Sequence, residues 1–218
     1  MRRFRIKPPL RLVAAAAIGT LSFGGVGYAA SLGFSTNKLF AWSQTLTKGT
    51  CNQTSTTADD TYVQQLNPTS TAGGTATTLT ISPIAATQDY AFIRFNLSGC
   101  SIPTTGGADS AVLTVNVRTA GADTISLFPV TSSWSSSTLT WNGVSGLTIG
   151  PTATGTFSAS STGAKTVTVT ADVDNAIKAG NLWGWELRAT SGVASVAVGA
   201  AENVTAANRP SMTLSYEK

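Results

Sequence analysis

Residues 90–100 read YAFIRFNLSGC, and their alternation decides the fold. Ile93, Phe95 and Leu97 alternate with Arg94 and Asn96, the period of two that marks a strand with one buried face. A glycine turn and a cysteine close the stretch. The same pattern recurs on both sides, which makes residues 90–97 the expected central strand. Downstream, residues 111–118 place Leu113, Val115 and Val117 on one face and Thr114, Asn116 and Arg118 on the other. Residues 124–130 repeat this with Ile125 and Leu127, and residues 165–170 with Val167 and Val169. Upstream, Tyr62 and Val63 open a strand that Asn67 and Pro68 end. Leu79 and Ile81 share a face of residues 77–81, and shorter strands are expected at 155–159, 182–189, 195–200 and 211–216. Short strands separated by turn signals every 8–12 residues indicate an antiparallel sandwich or barrel rather than βαβ units.

One short helix is expected over residues 171–179. Thr170 is placed to cap it, Asp172 and Asp174 fall in its first turn and Lys178 in its last. Gly180 suits the left-handed position that follows a helix. Val173 and Ile177 lie four apart and give one small apolar face, suited to plugging an open end of a sandwich.

The first residues carry Arg2, Arg3, Arg5, Lys7 and Arg11 without an acid, then an apolar run from Leu12 to about Gly27, then Ala29 and Ala30. This order is that of a secretory signal peptide spanning residues 1–29; a retained membrane anchor is the alternative. Residues 30–50 read as an extended lead-in, a linker or an added edge strand, with the role of Trp42 open, and residues 51–218 as the sandwich domain. Five of the fourteen basic residues lie in the leader, leaving nine against ten acidic residues, a net charge of −1. The basic pI therefore belongs to export and supplies no patch for nucleic acid. The remaining chain is long enough to bury roughly 70% of its extended surface. Its Ser- and Thr-rich, charge-poor composition suits a solvated β-surface outside the cell.

Cys51 and Cys100 in an exported chain are most simply one disulfide. Closing about fifty residues, it contributes roughly 4 kcal/mol in the chain-entropy description. Two thiols and no histidine make an incomplete zinc shell. Asp59 and Asp60 are weak candidates for structural calcium, set against capping or turn hydrogen bonds. Catalysis finds little footing. A lyase would need tyrosine with arginine or lysine, and Tyr62, Tyr90, Arg94 and Glu202 supply the types without a grouping spacing. No nucleophile elbow or phosphate loop is present.

Candidate ligand contacts follow from the outward phases. Arg94 and Asn96, with Asn116 and Arg118, would form one polar patch with two cations if their strands pair, and such a patch suits an acidic glycan. Trp134 and Trp141 bracket a Ser/Thr-rich loop and serve either packing or ligand contact. Trp183 and Trp185, two apart, are expected on one strand face, where Leu187 extends the row and favours core over a sugar-stacking platform.

The segments ADDTYV (58–63), FIRFNL (92–97), WSSSTLTW (134–141), VTVTADV (167–173) and RPSMTLSY (209–216), in this order and spacing, resemble the DNRLRE domain family, exported β-sandwiches grouped with carbohydrate-binding modules. The run that names the family is absent, and Ala201 stands where a polar residue is expected before Glu202. The resemblance implies an all-β, jelly-roll-like antiparallel sandwich and a secreted or cell-surface, non-catalytic module that binds polysaccharide or mediates adhesion. A structural subunit of a surface layer or filament, self-associating through residues 31–47, is the alternative; a small polysaccharide lyase is a third reading. Mass spectrometry of the exported protein should find an N-terminus near Ala30 and a mass two hydrogens below that of the reduced chain. Full-length membrane-bound protein with two free thiols would contradict both.

Overall fold

The computed structural model describes residues 47–54, 58–103 and 106–217. The leader, the lead-in through residue 46, Trp42 and all but the last residue of segment 31–47 lie outside them.

Alternating apolar residues become strands throughout. In chain order these are β1 (Lys48–Gln53), β2 (Ala58–Gln64), β3 (Thr78–Ile81), β4 (Asp89–Phe95), β5 (Ala108–Thr119), β6 (Thr124–Pro129), β7 (Gly155–Ser158), β8 (Gly163–Thr168), β9 (Trp185–Ser191), β10 (Val196–Gly199) and β11 (Ser211–Glu217). They form two antiparallel sheets. One runs β1-β11-β5-β10-β3, with β8 also on β5; the other runs β2-β4-β9-β6-β7. The jelly-roll-like sandwich is thus present.

The central place expected of β4 goes elsewhere. β4 is an inner strand of the five-stranded sheet, whose middle is β9, and the hub of the other sheet is β5. Its twelve residues allow this: β8 pairs with Val112 to Val117 along one edge, while β11 and then β10 share the other.

Inward positions of both sheets meet in one core, with Leu113, Val115, Val117, Met212 and Leu214 from one side and Ile93, Phe95, Leu127, Trp185 and Leu187 from the other. Each large side chain removed from water contributes about 1.5–3 kcal/mol. Outside the five-stranded sheet lies a second, smaller cluster of Val63, Phe92, Val130, Trp134 and Leu139. It exists because β2 and β4 carry apolar groups on their outward phase too, and residues 130–149, including the single-turn helix α1 (Trp141–Val144), fold over them.

Helix α2 (Thr170–Ala179) buries Val173 against the main core and ends at Gly180 with φ 78°, as expected. Its start differs from the sequence reading. Val169 occupies the N-cap without a side-chain bond, and Thr170 is the first helical residue. The Thr170 hydroxyl instead accepts the Ala111 N–H of β5 at 2.9 Å, so it fastens the helix to the sheet. Asp172 accepts the indole N–H of buried Trp185 at 2.7 Å and a bond from the Thr154 hydroxyl, which pins the helix across the sandwich end.

The disulfide joins Cys51 in β1 to Cys100 just beyond β4, and so ties one sheet to the other. A second tie comes from Asp60, 1% exposed on the inward phase of β2. Its Oδ2 accepts the Ala201 N–H at 2.7 Å, from the turn that follows β10. Burial, and then the neighbouring Glu202 and Asp59 charges, push its pKa up to about 8, against the bond from Ala201.

In the unfolded chain the Asp60 carboxyl ionises near pH 4. The folded form therefore holds a proton that the unfolded form releases. The stability this confers is complete below about pH 4 and is lost as pH rises toward about 8. With chelator present, Tm should fall between pH 5 and pH 8, and Asp60→Asn should flatten that slope; equal slopes in both proteins would refute the assignment.

Candidate functional site

The strands that bear Arg94 and Arg118 fall in opposite sheets, so the single polar patch does not form. The chain crosses from one sheet to the other between β4 and β5, which puts the two outward phases on opposite sides of the sandwich. Asn116 donates to the Ala207 carbonyl at 3.2 Å and Arg118 to Asn208 Oδ1 at 2.8 Å. Both thereby hold the segment between β10 and β11.

Arg94 has a different setting. It lies directly opposite Asp59 in the β2–β4 register, and its Nε and Nη2 reach Asp59 Oδ2 at 2.9 and 2.5 Å. Its guanidinium carbon also sits 5.0 Å from the Trp134 ring centre and 5.4 Å from that of Trp183. The cation is thus held between two indoles, an arrangement that suits planar arginine. Asn96 follows β4 at the surface, where its Oδ1 accepts Ser98 N–H at 2.9 Å and shapes the turn through Leu97–Gly99.

Trp183 and Trp185 do not share a face. β9 starts at Trp185, and Gly184 before it has φ 75°. A Cβ there would lie 2.0 Å from the Ile93 carbonyl oxygen, so only glycine fits. The resulting kink sends Trp185 fully into the core, as expected of it, and turns Trp183 outward, half-buried. Trp134 is 6% exposed, donates its indole N–H to the Trp183 carbonyl at 2.7 Å and packs on Phe92 with ring centres 5.7 Å apart. Trp141, half-buried, lies 4.8 Å from Tyr90. Packing accounts for Trp134.

Farther along the same face a second stack repeats the design. Arg188 donates to Glu186 through Nε to Oε1 and through Nη2 to Oε2, the latter at 2.7 Å. It lies 4.8 Å from the Tyr90 ring centre and 5.2 Å from that of Phe128. Glu186 is fully buried, which pushes its carboxyl pKa up while Arg188 pulls it back. Each cation of this face therefore carries its own carboxylate.

Beside the first stack opens a cleft of about 810 Å³. It is lined by Asp59, Arg94, Asn96 and Trp183, by Ile177 of α2 and by Asn181 just beyond that helix. Leu97, Ser98, Gly99, Ile102 and Pro103 line it as well, around Cys100, which the disulfide fastens to β1. An indole wall, an ion pair and side-chain amides are the groups that bind sugars, through stacking on ring C–H faces and hydrogen bonds to hydroxyls.

Of the four polar-patch residues the cleft gathers Arg94 and Asn96, and it adds Trp183, which the sequence favours as core. Asp59 joins it as the partner of Arg94, not as a calcium ligand; adjacent Asp60 points to the opposite side of the sheet, so the two acids cannot share an ion. Asn181, Arg188 and Glu186 carry no signal in the sequence reading, and Ile177 enters it only as part of the helix's apolar face. The signal for a covered outer face lay in Tyr90 and Phe92, aromatic residues on the phase read as solvent-facing.

Comparison with curated proteins finds no match to this chain. The family model of carbohydrate-binding module family 96 matches residues 52–216, the whole sandwich from within β1 to within β11, and the chain belongs to that non-catalytic, polysaccharide-binding family.

Proposed function

We propose that this chain is an extracellular polysaccharide-binding module whose glycan lies in the cleft beside Trp183. The observation that carries the reading is the half-buried Trp183 indole standing next to the Asp59–Arg94 pair in one 810 Å³ recess. A sugar ring stacks on the free part of the indole, while Asp59, Arg94, Asn96 and Asn181 bond its hydroxyls. The disulfide and the export-type leader support placement outside the cell, and the five ordered segments support the DNRLRE kinship within the carbohydrate-binding modules. A non-catalytic family removes the support for a lyase.

The cleft replaces the two-cation patch as the recognition surface. Asp59 already neutralises Arg94, and the C-terminal end of α2 adds partial negative charge nearby. Recognition here rests on stacking and hydroxyl contacts, so affinity should vary little with salt. Self-association through residues 31–47 remains the rival role, readable as concentration-dependent fibres.

A glycan array on the mature chain identifies the ligand, and calorimetry then measures variants. Trp183→Ala should weaken binding about tenfold, the scale of a lost aromatic contact. Arg118→Ala, on the opposite sheet, should leave affinity unchanged. The reverse pattern would move the site to the six-stranded sheet, and product release from the glycan would restore the lyase.

A further inference from the structure

The cleft uses one of the two arginine stacks on the outer face of the five-stranded sheet. The stack around Arg188 has no part in it, since neither Arg188 nor any residue it touches lines the recess. Its parts come from three adjacent strands and the cover. Arg188 of β9 lies between β4 and β6, which supply Tyr90 and Phe128. Trp141 of α1 packs on Tyr90, so Trp141 and Arg188 both lie 4.8 Å from the Tyr90 ring centre. All three rings are only half-buried. Rings that served packing alone would gain by being covered, because apolar surface left in water contributes nothing to folding.

The way Arg188 is held points the same way. Glu186, fully buried, takes its Nε and Nη2, while 33% of the arginine side chain stays open to solvent. Nη1 has no partner among the described residues. Arg94 repeats this arrangement, with Asp59 on Nε and Nη2 and Nη1 unbonded. Each guanidinium is therefore fixed by a carboxylate and by rings, and keeps N–H groups to spare on one rigid plane. Its charge is already balanced, so what it offers a ligand is donors for hydroxyls rather than attraction for an anion. Donors for hydroxyls beside a partly free indole are the groups that hold a sugar.

We propose that the Arg188 stack is a second sugar subsite, taking neutral pyranose units of the same polysaccharide that occupies the cleft. The inference rests on the cleft reading above. Sugar units stack on the free part of Trp141, and their hydroxyls accept from Arg188. Tyr90 and Arg94 point outward from the same strand four residues apart, about 13 Å along it. A chain of several units therefore reaches both stacks. Once the cleft holds one part of that chain, the rest meets the second subsite at raised effective concentration, so two weak contacts give a tight grip.

The test cuts the polysaccharide selected on the glycan array into oligosaccharides graded by length and titrates each into the mature chain by calorimetry. Affinity should keep rising beyond the length that fills the cleft. Trp141→Ala should weaken the longest fragments about tenfold and leave the shortest binding fragment unaffected; a merely structural defect would weaken both. Wild type supplies a second measurement that no folding failure can spoil. Long fragments should shift the indole N–H NMR signals of Trp183 and Trp141, short ones that of Trp183 alone, and neither should move core Trp185. Long-fragment affinity unchanged in Trp141→Ala, equal losses for long and short fragments, or a Trp141 signal that no fragment moves would overturn the second subsite and leave the cleft standing. Loss of binding in Trp141→Ala with none in Trp183→Ala would remove the cleft, and this two-subsite grip with it.

Discussion

Both cores depend on a single backbone crossing at Gly184. There the chain enters β9 so close to β4 that a side chain would collide with the Ile93 carbonyl, and its φ of 75° disfavours any other residue. Because the chain turns at this point, neighbouring tryptophans diverge. Trp185 enters the space between the sheets and hands its indole N–H to Asp172, which seats α2. Trp183 stays outside, and its carbonyl receives the indole N–H of Trp134, which seats the cover over the outer face. Both consequences border the cleft, which Trp183 lines together with Ala176 and Ile177 of α2.

Charge on this face is balanced locally. Arg94 answers Asp59, Arg188 answers Glu186, and each guanidinium is flanked by two rings. Partly buried arginine loses hydration, and the carboxylate and the ring faces compensate for that loss. The result is a stiff surface assembled from long side chains that would be mobile if solvated. A binding face held in place before the ligand arrives loses less conformational entropy on binding.

The strands were legible because period-two alternation reflects burial on one face, a constraint each strand meets by itself. Sheet membership was not, since nothing in residues 96–107 says that the chain crosses the sandwich rather than turning back, and Arg94 and Arg118 were paired on that false adjacency. The cysteine pair was readable from compartment alone. Asp59 and Asp60 illustrate the limit most directly: adjacent in sequence, they face opposite ways in a strand, and only register reveals Arg94 as the partner of one and Ala201 of the other. Thr170 fits a capping position by type, but Ala111 of β5 offers its hydroxyl a tertiary partner that local rules do not contain. Tyr90 and Phe92 were visible as aromatic and outward-facing, and their meaning, a covered face, follows once both are taken together.

The edge formed by β1 and β11 has a mechanical consequence. These strands run antiparallel with Lys48 opposite Glu217, so a load applied at those two residues peels the pair open one rung at a time instead of shearing all rungs together. Unzipping is the weaker geometry, because each hydrogen bond bears the load alone. Cys51 sits only three residues into β1, opposite Leu214. Once the first rungs part, tension passes through the Cys51–Cys100 bond to the end of β4 in the other sheet. The covalent link thus limits the zipper on the β1 side to its first three rungs and hands the load on β1 to the second sheet of the module.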